Sequence, residues 1–108
     1  ARVDDILKYF YPYREDEPEI PEKSELRQNY PNPFNPNTTI SYAIKQAGQV
    51  NLKIYDVLGR EKHILVENYQ NPGSYEVTFR AVGLAGGIYY YRLDTESYSG
   101  VRKMLLLK

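Results

Sequence analysis

His63 is the only histidine in the 108 residues, and there is no cysteine. Any nucleophile–base pair would have to join this one imidazole to a serine or threonine. No serine stands in a Gly-x-Ser-x-Gly turn, and no ordered triad presents itself. Asp94 and Glu96 flank a turn, and residues 14–25 read Arg-Glu-Asp-Glu-Pro-Glu-Ile-Pro-Glu-Lys-Ser-Glu. Calcium, however, needs several oxygens converging at fixed spacing, and the EF-hand pattern is absent. These charges read as solvated surface. Gly83, Gly86 and Gly87 lack the spacing that cradles a phosphate before a helix and read as turn and bulge residues. The sequence thus assigns no catalytic, metal-binding or cofactor-binding residue and argues against an enzyme.

The chain end offers a different chemistry. Arg92, Arg102, Lys103 and Lys108 gather there, around Met104-Leu105-Leu106-Leu107. In a strand these four apolar residues alternate, so whatever sends Met104 and Leu106 inward sends Leu105 and Leu107 outward. An exposed apolar edge strand invites pairing with a partner. The bland reading is that another segment, such as an N-terminal helix, covers Leu105 and Leu107.

The elements that must position these residues follow from hydrophobic period. Val3, Ile6, Leu7 and Phe10 recur on one helical face, and Tyr11-Pro12 would end that short helix. The acidic run after it, broken by two prolines, has linker composition, so residues 1–23 read as a short helix or extended segment with an acidic linker. Residues 24–108 read as one domain. There the period becomes two: Ile40, Tyr42 and Ile44 share one face, and Val50, Leu52 and Ile54 another, with a turn at Gln46–Gln49 that suggests a hairpin. Asp56-Val57-Leu58-Gly59 suits a type I turn followed by a left-handed glycine. A strand around Lys62–Val66 has ambiguous faces, with Leu65 favoured as inward. After the turn at Gln70-Asn71-Pro72-Gly73, Tyr75, Val77 and Phe79 alternate, then Tyr89, Tyr91 and Leu93, then Met104 and Leu106. A short strand at Leu26–Tyr30 brings the count to seven, which predicts an all-β, immunoglobulin-like antiparallel β-sandwich.

Composition agrees with a single module. Lys plus Arg equals Asp plus Glu at 14 each, so no overall field draws the chain to nucleic acid. No apolar run reaches the roughly 18–20 residues of a membrane-spanning helix, and the N-terminus lacks a signal-peptide pattern, which places any export signal upstream of Ala1. Twelve tyrosines without a tryptophan suit half-buried strand positions.

The most distinctive segment is Asn29-Tyr30-Pro31-Asn32-Pro33-Phe34-Asn35-Pro36-Asn37-Thr38. Three prolines fix φ and remove N–H donors while the asparagines cap their own turns, so this must be a stiff, irregular strap. The strap (Asn29, Pro31, Asn32, Pro33, Phe34, Asn35, Pro36), the turn from Asp56 through Gly59 to Arg60, Gly73 within Pro72–Tyr75, the run Gly87–Leu93 and the closing Lys103–Lys108 together resemble the type A C-terminal sorting domain of type IX secretion. Departures are minor: Phe79 stands where tryptophan is frequent in that family, and Ala81-Val82 replaces a common Asp-Gly turn.

The resemblance implies a non-catalytic signal at the end of a larger exported protein of a Bacteroidota-type bacterium. It also implies passage through the periplasm to the surface. The implied partners are the outer-membrane type IX machinery, an upstream cargo domain of the same polypeptide and a sortase-like peptidase, with no cofactor. The implied signal residues are Gly87, Tyr89, Lys103, Met104, Leu105, Leu106, Leu107 and Lys108. Two other readings stay open: a structural immunoglobulin-like accessory module, similar to that of flagellar hook-capping proteins, and a carbohydrate-binding sandwich using surface tyrosines.

Overall fold

Seven antiparallel strands build two facing sheets in the computed structural model, which describes residues 20–108. Strands β1 (Glu25–Leu26), β2 (Asn37–Ile44) and β5 (Gly73–Arg80) form one sheet in the order β1-β2-β5. Strands β3 (Gly48–Tyr55), β4 (Glu61–Gln70), β6 (Gly87–Asp94) and β7 (Ser99–Leu106) form the other in the order β4-β3-β6-β7. The expected sandwich is therefore present. The helix expected at Val3–Phe10 and the start of the acidic linker lie outside the described residues.

Period-two alternation puts one apolar face of each strand between the sheets. Ile40, Tyr42 and Ile44 of β2 meet Val50, Leu52 and Ile54 of β3, with Phe79, Tyr89, Tyr91, Leu93, Met104 and Leu106, in one buried cluster. Val77, expected in this core, is only partly buried. It sits on β5, an edge strand with a neighbour on one side only.

Two expectations are corrected. The hairpin between β2 and β3 does not form: β2 pairs with β1 and β5, while β3 pairs with β4 and β6. The short connection after Ile44 instead carries the chain across the core, so the two apolar faces oppose each other rather than lying side by side. The true hairpin joins β3 to β4 through the Asp56–Arg60 turn. The strand expected at Leu26–Tyr30 is shortened to Glu25–Leu26, and Tyr30 returns for a single bridge to Thr39.

Strand β4 explains its own ambiguity. Its register against β3 slips between Leu52 and Lys53, whose partners are Val66 and Ile64, so Leu65 is an extra residue in a bulge. Leu65 and Val66 both lean partly into the core as a result.

Candidate functional site

The strap from Asn29 to Pro36 leaves β1, crosses the open side of the sandwich and ties the two sheets together. At its start, the Asn29 N–H donates to the Tyr91 hydroxyl at 2.8 Å, and that hydroxyl donates to the Arg27 carbonyl at 2.7 Å. Burial pushes the Tyr91 phenol up to about 12, outweighing the Asn29 N–H and the Arg102 guanidinium, both of which favour the phenolate. The Asn29 side chain donates to Thr38 Oγ1 at 2.9 Å and to the Pro31 carbonyl at 3.2 Å, and the Thr38 hydroxyl donates to the same carbonyl at 2.8 Å. Asn29 and Thr38 are buried, and this closed network satisfies them.

Farther along, the strap becomes a partner of the C-terminal strand. The Phe34 N–H donates to the Leu105 carbonyl at 3.0 Å, and the Leu107 N–H donates to the Phe34 carbonyl at 2.9 Å, a parallel bridge centred on Leu106. Asn32 Oδ1 accepts the Leu105 N–H at 3.0 Å, and Gln28 Nε2 donates to the Lys103 carbonyl at 2.8 Å. The Phe34 ring drops into the core edge-on to Phe79, centroids 6.1 Å apart. Pro36 finishes the strap by accepting the Ala81 N–H at 2.9 Å.

This corrects the expectation of an open edge strand at the chain end. The Lys103 carbonyl, both backbone groups of Leu105 and the Leu107 N–H are already bonded to Gln28 or to the strap. Around Leu105, what remains for a partner is side chains.

The eight residues implied as a signal separate accordingly. Met104 and Leu106 are core residues, and Tyr89 is buried with its hydroxyl donating to the Ala85 carbonyl at 2.6 Å, closing the loop before β6. Gly87 has φ 142°, a conformation that L side chains rarely adopt, so its backbone accounts for its identity. Lys103, Leu105, Leu107 and Lys108 point outward. Register places Leu105 beside Ile88 and Lys103 beside Tyr90, and Ile88, Leu105 and Leu107 are each between 36% and 49% exposed.

The Asp56–Arg60 turn closes the same end of the sandwich. Gly59 takes φ 80° as the turn requires, and its N–H donates to the Asp56 carbonyl at 3.0 Å. Asp56 Oδ1 accepts the Arg60 and Leu58 N–H groups, and Oδ2 meets the Arg60 guanidinium at 2.7 Å. The Arg60 backbone bond, followed by the guanidinium and Leu58, holds the Asp56 carboxyl below its usual range against the opposing effect of burial. Val57 and Leu58 are left 63% and 73% exposed at the tip. The sequence reading did not single them out, although two apolar residues at the centre of a turn, where polar residues dominate, were a signal available to it.

At the other end, Gly73 is buried at the start of β5 opposite Ile44, beside the Tyr75 ring, which stacks on Tyr42. His63 is exposed on β4, its ring 5.7 Å from that of Phe79. Arg92 pairs with Asp94, which also accepts from Ser99. Among the described residues, no group of three His, Cys, Asp or Glu side chains comes together around a metal-sized site.

The ordered polar chemistry of this sandwich serves to lock its terminal strand in place. Residues 28–107 match the secretion system C-terminal sorting domain, and the chain belongs to that family. It is a sorting domain of type IX secretion, a non-catalytic signal for export to the cell surface or release. The fold is similar to part of dimeric latent PorU from Porphyromonas gingivalis, at TM-score 0.60 and 21% identity over 78% of this chain and 9% of that one. It is also similar to part of PorZ from the same organism, described as an essential bacterial surface component of the type-IX secretion system, at TM-score 0.53 and 27% identity. That likeness covers 75% of this chain and 11% of PorZ, so this chain spans only about a tenth of either structure. No curated protein sequence matches it.

Proposed function

We propose that this domain carries an upstream cargo in the same polypeptide, does no chemistry of its own, and is read by the outer-membrane type IX machinery through the outward side chains of Lys103, Leu105, Leu107 and Lys108. The observation that carries this reading is the strap–β7 clasp. Because Phe34, Asn32 and Gln28 occupy the edge of β7 around Leu105, a receptor meets there a rigid display of side chains rather than an unpaired backbone. The acidic, proline-containing composition of the segment before Glu25 suits a place for a sortase-like peptidase to cut.

The test is a reporter with an N-terminal export signal fused to the whole 108-residue chain and expressed in a type IX-competent cell. It should reach the surface, and a fusion lacking Lys103–Lys108 should stay in the periplasm. That truncation also removes Met104 and Leu106 from the core, so the decisive variants are the surface substitutions treated below. A wild-type fusion that never leaves the periplasm would contradict the assignment.

A further inference from the structure

Two depressions lie side by side where β6 begins. One, of about 370 Å³, runs between the Asp56–Arg60 turn and the Gly83–Gly87 loop and includes Val57, Leu58, Lys62 and Ile88. The other, of about 180 Å³, is lined by Asn32, Ile88, Lys103, Met104 and Leu105. Ile88 lines both, so the apolar surface is continuous from the turn tip to the outward face of β7.

Charge surrounds this surface unevenly. Asp56 is engaged by Arg60. Among the described residues, Lys62, Lys103 and Lys108 have no carboxylate within ion-pair distance. Lys62 and Lys103 line the two depressions, and the Lys108 side chain lies against Gly86. The surface therefore sets Val57, Leu58, Ile88 and Leu105 among polar groups and carries a cationic rim.

We propose that the docking surface extends beyond the terminal strand to Val57 and Leu58, and that this face seats in an apolar groove edged with carboxylates on the secretion machinery. The inference rests on the sorting reading above and specifies its partner. Three features select this occupant. Lysines without a carboxylate partner among the described residues, set around exposed apolar side chains, call for opposite charge at the rim of the partner. Two copies of this face would bring like charges together, which disfavours self-association. The Asp56 bonds hold the turn rigid before binding, so Val57 and Leu58 are presented with little ordering cost, as anchors in a pocket require. A lipid surface is the weaker fit, because three lysines on a chain of zero net charge give little attraction to anionic headgroups.

The experiment compares the full-chain reporter with Val57→Ser/Leu58→Ser and, separately, with Lys62→Glu and Lys62→Arg, after thermal melts show each variant folded. The double serine variant should lower surface delivery by about tenfold, the loss expected for one removed anchor. Lys62→Glu should lower it severalfold, while Lys62→Arg should restore delivery. Wild-type delivery of the folded Val57→Ser/Leu58→Ser fusion, with the unsubstituted fusion also delivered, would overturn this inference and leave the sorting reading standing. Failure of the unsubstituted fusion would overturn both. Two further results would overturn the choice of partner: a concentration-dependent dimer of the wild-type chain that Val57→Ser/Leu58→Ser dissolves, or co-sedimentation of the wild type, but not of that variant, with phosphatidylglycerol vesicles.

Discussion

The Tyr91 hydroxyl stands 2.8 Å from the Asn29 amide nitrogen, joining the centre of one sheet to the first residue of a strap 62 positions earlier in the chain. The same oxygen donates to the Arg27 carbonyl, so one phenol serves both the buried Asn29 N–H and a part-buried carbonyl on the strand side of the strap.

Replacing Tyr91 with Phe keeps the ring and removes both bonds. The variant should fold and lose about 1–3 kcal/mol in denaturant titration, the cost of leaving buried polar groups without partners. Since the folded pKa of Tyr91 lies above that of a free tyrosine, its contribution is present below pH 10 and is lost as pH rises toward about 12. Wild-type stability should therefore decline over that interval, and the decline should be shallower in Tyr91→Phe. The residual slope would come in part from Tyr42, also raised by burial. Equal stability of the two proteins at neutral pH would show that the strap does not depend on this bond.

Phe34 anchors the middle of the strap. Phe34→Ala should cost about 3–5 kcal/mol, the usual range for truncating a buried aromatic. It should also release the strap locally, so hydrogen exchange at the Leu107 amide, bonded to the Phe34 carbonyl, should accelerate more than at Leu93 in the core. With the β7 edge uncovered, the variant should aggregate more readily. Uniform acceleration at both amides would mean that the strap has no separate opening.

Limited proteolysis checks the domain boundary. Leu26 is buried, and the Ser24 hydroxyl accepts the Lys45 N–H at 2.9 Å, so resistance should begin near Ser24. First cuts should fall between residues 14 and 25 and leave a stable fragment starting near Leu26. An early cut within Asn29–Pro36 would contradict the rigidity of the strap.

Which residues face the core was legible from the sequence wherever alternation was unbroken, as in Ile40-Tyr42-Ile44 and Tyr89-Tyr91-Leu93. Which sheet a strand joins was not, because alternation specifies a face and is indifferent to the neighbour. The connection after Ile44 reads the same whether it closes a hairpin or crosses the core. In β4 the bulge at Leu65 broke the period itself. The strap was recognisable as stiff from its prolines, but its pairing with β7 links Phe34 to Leu105 and Leu107, some seventy residues away, and no local pattern encodes that contact. The site was therefore half legible: Leu105 and Leu107 were correctly placed outward, but on an edge wrongly taken as open.

The most direct test of the central claim is surface delivery of the full-chain reporter carrying Leu105→Ser and Leu107→Ser, with Lys103→Glu/Lys108→Glu as the charge counterpart. All four side chains point to solvent, and Lys103, Leu105 and Leu107 keep their backbone bonds to Gln28 and the strap, so stability should fall by no more than about 1 kcal/mol. If outward side chains carry the signal, the folded leucine variant should accumulate in the periplasm and the charge-reversed variant should be delivered more slowly than wild type. Delivery of both folded variants at the wild-type rate would contradict a signal read on this strand.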